Sequence, residues 1–98
     1  RSGRAEMAKS ILQKDKECFL CTRMQDLEQH HIFGGPNRKW SEKYGLKVWL
    51  CPRCHRDPRQ GVHFNWDVMK IMHRTGQQAF EKEHSRDEFM NIFGKNYL

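Results

Sequence analysis

Residues 45–55 read Gly-Leu-Lys-Val-Trp-Leu-Cys-Pro-Arg-Cys-His. The Val48-Trp49-Leu50 centre is β-branched and aromatic, so it reads as a strand, and it runs straight into a CxxC pair. A second pair, Cys18-Phe-Leu-Cys21, lies upstream with 29 residues between the two. Two intervening residues let one tight turn aim both thiolates at a single ion, at about 2.3 Å for zinc. Two such turns close a four-sulfur shell, so one structural Zn2+ is expected on Cys18, Cys21, Cys51 and Cys54. A redox dithiol needs only one CxxC, and paired disulfides belong to oxidising compartments. Zinc binding, on the order of 10 kcal/mol, would compensate for a small core.

Working outward, 98 residues suffice for one domain, 1–98, that buries only about 60–65% of its unfolded surface. Residues 4–14 carry Met7, Ala8, Ile11 and Leu12 in one stripe, which predicts an N-terminal helix. Residues 17–65 hold both knuckles, a short strand in Asp26–Phe33 and the strand ending at Leu50, with Gly34-Gly35-Pro36-Asn37 as a turn. Residues 65–98 predict two helices. The first is capped by Asn65 and runs to about His84 despite Gly76; the second starts at the Ser85-Arg-Asp-Glu88 capping box and ends at Gly94. The expected class is α+β, a small zinc-stapled core flanked by helices. No run of about 18 apolar residues exists, so no membrane span is expected. The charged N-terminus has no hydrophobic signal core, and the expected compartment is cytoplasmic.

The net charge of +6 is unevenly spread. Residues 35–61 carry Arg38, Lys39, Lys43, Lys47, Arg53, Arg56 and Arg59 against only Glu42 and Asp57. A concentrated basic stretch is the footprint expected for phosphate contacts, though a solvated surface also accounts for part of it. Arg38, Lys39, Arg53, Arg56 and Arg59 are the candidates, and the arginines suit bidentate contact.

Residues 29–35, Gln-His-His-Ile-Phe-Gly-Gly, place two imidazoles side by side ahead of a glycine pair. Neighbours on a strand face opposite ways, so either one is buried and one solvated, or both reach a site at the strand's end. Clamping the knuckles together brings His55, which follows Cys54, toward the strand bearing His30 and His31, and His63 comes eight residues later. Converging imidazoles beside a basic loop suit a second, catalytic metal and a general base. His73 and His84 are expected as exposed helix residues without a role, and Trp40 and Trp49 as packing residues.

The string "LEQHHIF…GLKVWLCPRCH" resembles the HNH (ββα-metal) endonucleases in their form built on two CxxC knuckles, over residues 17–65. With "SEKYGL", "GVHFN" and "FGKNYL", the chain is similar to small HNH proteins encoded in bacteriophage genomes. The resemblance implies DNA as partner, phosphodiester hydrolysis by nicking or double-strand cleavage, and one catalytic divalent ion (Mg2+, Mn2+, Ni2+ or Zn2+). It implies the host-cell cytoplasm if the chain is phage-encoded. It implies His30 and His55 as ligands of that ion and His31 as the base that activates water. The family's middle asparagine falls where this chain has Leu46, and Asn37 is the nearest replacement. A further histidine found in some relatives falls at Arg59, and His63 supplies it if the chain folds back after Gly61. The alternative is a non-catalytic zinc module that binds nucleic acid.

Overall fold

The computed structural model describes residues 9–58, 61–62 and 65–98. Two short strands, β1 (Glu28–His31) and β2 (Lys47–Leu50), pair antiparallel, with Glu28 opposite Leu50, Gln29 opposite Trp49, His30 opposite Val48 and His31 opposite Lys47. Between them lie a 3-10 turn at Gly35–Asn37 and helix α1 (Arg38–Tyr44), which ends at Gly45 with φ 71°. Helix α2 (Pro52–Arg56) follows β2 directly, with proline in its first turn where a missing N–H costs nothing. Helices α3 (Trp66–Phe80) and α4 (Arg86–Phe93) follow. The architecture is a small α+β one, and among the described residues no helix is long and apolar enough to cross a membrane.

Three expectations needed revision. Residues 9–14 are not helical, and the rest of the helix expected over 4–14 lies outside the described residues. The physical reason is the outer edge of β2, which pairs with no third strand among the described residues. Ser10 Oγ donates to the Lys47 carbonyl, Gln13 Oε1 accepts from the Trp49 N–H, and the Phe19 N–H donates to the Trp49 carbonyl. Covering an open edge outcompetes a short helix. Second, the expected turn at 34–37 runs on into α1. Ser41 Oγ, fully buried, accepts from the Phe33 N–H and donates to the Phe33 carbonyl, tying α1 to the chain beyond β1. Third, α3 stops at Phe80 and tightens through Lys82 N–H to Ala79 O and Glu83 N–H to Phe80 O.

Asn65 caps α3 as expected, accepting from Asp67 and Val68, and the Ser85–Glu88 capping box is complete. Gly76 is required by close approach: a Cβ there would lie 2.9 Å from Ile32 Cγ2. One buried cluster joins Cys18, Leu46, Val48, Leu50 and Cys51 to Ile32, Phe33, Phe80, Phe89 and Phe93. Two further expectations change: His73 and His84 are half-buried against this packing rather than exposed, and His84 lies past the end of α3. His73 stacks on Phe33 and His84 on Phe80, with ring centroids at 5.2 and 4.5 Å. Trp40 also packs against it.

Candidate functional site

The knuckles meet because β2 carries Cys51 to the end of the hairpin while the first knuckle hydrogen-bonds to β2 at Trp49. All four sulfurs lie within 4.8 Å of one another, and Cys21 Sγ is 3.6 Å from Cys51 Sγ. That separation is too long for a disulfide and near the edge of a tetrahedron with bonds of about 2.3 Å. Among the described residues this is the only group of three or more ligating side chains close enough to share an ion. The four cysteines could therefore hold a metal, and the all-sulfur donor set suits zinc.

The thiols illustrate why a cation would be favoured there. Burial opposes ionisation of Cys18, but N–H groups of Cys51, Cys21 and Leu20 outweigh it and bring the thiol down to about 6. Burial and then the neighbouring Cys18, Cys51 and Cys21 sulfurs push Cys54 far up. For Cys21 the Arg23 N–H favours the thiolate, yet the Cys18 sulfur and burial prevail and raise it. Sulfurs this close oppose one another's ionisation, and a cation among them would compensate the charge.

The histidine doublet divides between the two faces of the hairpin. Glu28, His30, Val48 and Leu50 share one face by alternation, and Gln29, His31, Lys47 and Trp49 the other. On the first face His30 is 3% exposed, and its ring meets the His55 ring edge-on, with centroids 5.2 Å apart. His55 Nδ1–H donates to Glu28 Oε1 at 2.7 Å. Arg56 grips the same carboxylate through Nε at 3.0 Å and Nη2 at 2.8 Å. The Arg56 fork, followed by His55, holds the Glu28 carboxyl down at about 2.

On the second face His31 Nε2–H donates to Glu42 Oε1 at 2.7 Å, and Lys47 Nζ donates to Glu42 Oε2 at 2.5 Å. Lys47 is only 4% exposed. Burial works against the Glu42 charge, but the bonds from Lys47 and His31 win and lower its pKa. His31, Gly35, Pro36, Arg38, Lys39 and Glu42 line an open depression of about 520 Å³.

Of the residues singled out in the sequence, His30 and His55 are brought together, and His31 is directed away from them to Glu42. Arg38 and Lys39 sit beside His31. Arg53 and Arg56 line a separate depression of about 530 Å³ with Arg23. Asn37 begins α1 without a side-chain capping bond, and its N–H donates to the Gly34 carbonyl. Leu46, at the position of the expected asparagine, is fully buried. His63 and Arg59 lie outside the described residues. Sequence reasoning gave no role to Glu28, Glu42 or Lys47. The signal for Glu42 was present: it is one of two acids in the basic segment 35–61. Glu28 was findable too, two residues before His30 and so on its face.

No family model matches the chain, and neither a curated protein nor a solved structure matches it.

Proposed function

We propose that the chain is a metal-dependent DNA endonuclease of the HNH (ββα-metal) type, with β1, β2 and α2 as its core and a structural zinc on the four cysteines. The observation that carries this reading is the His30–His55 contact. Residues from β1 and α2, far apart in sequence, meet at 5.2 Å on the face where α2 leaves the knuckle. This pair fits a divalent ion. With Nδ1–H committed to Glu28, His55 keeps its lone pair on Nε2, and a carboxylate behind an imidazole is the usual way a ligating histidine is oriented. His63 is the proposed further ligand. When bound, the ion supplies Lewis acidity toward the scissile phosphate.

His31 is the proposed proton acceptor for the attacking water, with Asn37 beside the same loop. For His30 and His31 to serve one phosphate, the DNA must lie across the C-terminal end of β1, where the pleat stops. Gly34 supports close approach there. A Cβ on Gly34 would meet nothing within 4 Å, and its φ of −94° suits any residue, so neither packing nor backbone demands glycine. An absent side chain leaves room for a phosphate backbone. Arg38 and Lys39 flank that position, and Arg53 contributes from the other depression.

The division of the doublet favours a second reading, a zinc module that binds nucleic acid without cutting it. Nicking of supercoiled plasmid, abolished by EDTA and restored by added Mg2+, Mn2+, Ni2+ or Zn2+, is the expected result for the enzyme. DNA retention with no nicking under any ion would leave the binding module.

A further inference from the structure

The network on the second face contains more than a base needs to stay in place. Lys47 is a buried ammonium directly opposite His31, and Glu42 joins the two with one oxygen each. Burying an ammonium beside a carboxylate is weak evidence of a stabilising role, because apolar residues of similar volume often do as well. What the triad does supply is direction. A carboxylate only accepts, so the His31 nitrogen facing it carries the proton. A neutral imidazole has one N–H, so its lone pair is then on Nδ1.

The carboxylate itself is fixed from three sides. Lys47 holds its second oxygen, α1 carries its backbone, and the adjacent Ser41 is bonded to both backbone groups of Phe33, two residues past His31. The side chain of His31 is 8% exposed, yet the residue lines the depression that Arg38 and Lys39 make attractive to an anion.

We propose that Glu42 is a positioning residue: it holds His31 as the Nε2–H tautomer, leaving Nδ1 to accept a proton, and Lys47 anchors Glu42 in that task. The catalytic half of this statement rests on the endonuclease reading, and the tautomer rests on geometry alone. A triad of imidazole, carboxylate and buried ammonium gives one defined proton acceptor in place of two interchangeable nitrogens. Losing such an orienting group costs rate without changing how substrate binds.

The test has two readouts on the zinc-loaded full chain. Long-range 1H–15N correlation of histidine-labelled protein at pH 8 should show His31 protonated on Nε2, and Glu42→Leu should show a mixture of tautomers. In plasmid cleavage with Mn2+, Glu42→Leu should lower kcat by about 10–100-fold while KM stays within about twofold. Glu42→Gln, which keeps an acceptor oxygen at the same reach, should recover part of that loss. An Nδ1–H tautomer in the unaltered protein, or full kcat in folded Glu42→Leu, would overturn the proposal. If Glu42→Leu does not fold, the unaltered protein's spectrum and Glu42→Gln still decide. If the unaltered chain cleaves nothing with any ion, the endonuclease reading falls, and the spectrum alone judges the tautomer.

Discussion

The two faces of one hairpin carry adjacent histidines in opposite electrostatic settings. Beside His30 the balancing cation is Arg56, 63% exposed, bridging to the partly enclosed Glu28 carboxylate. Beside His31 it is Lys47, enclosed in the protein. Solvent can replace an exposed cation at little cost, whereas a buried one is tied to its partner. The first face is therefore the adaptable one, suited to exchanging ligands, and the second is the rigid one, suited to holding a single orientation.

Both faces depend on the knuckles, which hold α2 against the hairpin, so the largest effect comes from breaking them. Cys21→Ser or Cys54→Ser should remove most of a binding energy on the order of 10 kcal/mol that is coupled to folding. Circular dichroism should show an unfolded or loosely folded chain for either variant. A variant that melts cooperatively with no zinc bound would mean that the core alone holds the two faces together.

The next effect separates the histidines by function. On the proposed endonuclease reading, His31→Ala should keep affinity for the divalent ion and for DNA while cleavage falls by about 10²–10⁴-fold, the usual worth of a general base. His30→Ala and His55→Ala should lose affinity for the ion, so raising metal concentration should restore part of their cleavage. A metal titration of rate for all three variants reads this directly. Rescue of His31→Ala by metal would place both histidines in one role and erase the difference between the faces.

Stability offers a smaller but direct measure of the same contrast. Lys47→Met leaves Glu42 without its closest cation, and because Glu42 is only partly enclosed the loss should stay below the about 3–5 kcal/mol of a fully buried pair. Arg56→Ala should cost much less than Lys47→Met, as exposed pairs do. Urea denaturation of the zinc-loaded proteins compares them. Acid sharpens the point: Glu28 titrates near 2 in the fold against an ordinary 4.5. The stability it gives is complete above pH 4.5 and is lost as pH falls from there through about 2. Carboxyl NMR shifts of Glu28 that move at pH 4.5 would show that Arg56 and His55 do not hold it.

The sequence made the cysteine frame legible because CxxC spacing is a local constraint that fixes geometry by itself. The caps at Asn65 and Ser85 were legible for the same reason: each is satisfied within four residues. The 9–14 segment was misread because its partner is the edge of β2, some 36 residues away, and periodicity carries no information about distant hydrogen bonds. The doublet shows the same limit. Alternation predicts opposite faces for His30 and His31, but only the register that sets Lys47 opposite His31 reveals Glu42 as its partner.

The basic segment provides the finest version of the comparison. In sequence Arg38, Lys39 and Arg56 are equivalent candidates for phosphate contact; in the structure they are not. Arg56 already has its charge met by Glu28 at 2.8 Å, and Arg38 and Lys39 line the depression beside His31, where Glu42 is committed to Lys47. A cation whose charge is compensated within the protein displaces fewer counterions from DNA. Arg38→Ala and Lys39→Ala should each reduce the log–log salt slope of DNA binding by about 0.9. Arg56→Ala should change it by much less, unless Glu28 is released when DNA binds. A full decrement for Arg56 would mean that its fork opens toward phosphate, and that the first face changes partners during binding while the second does not.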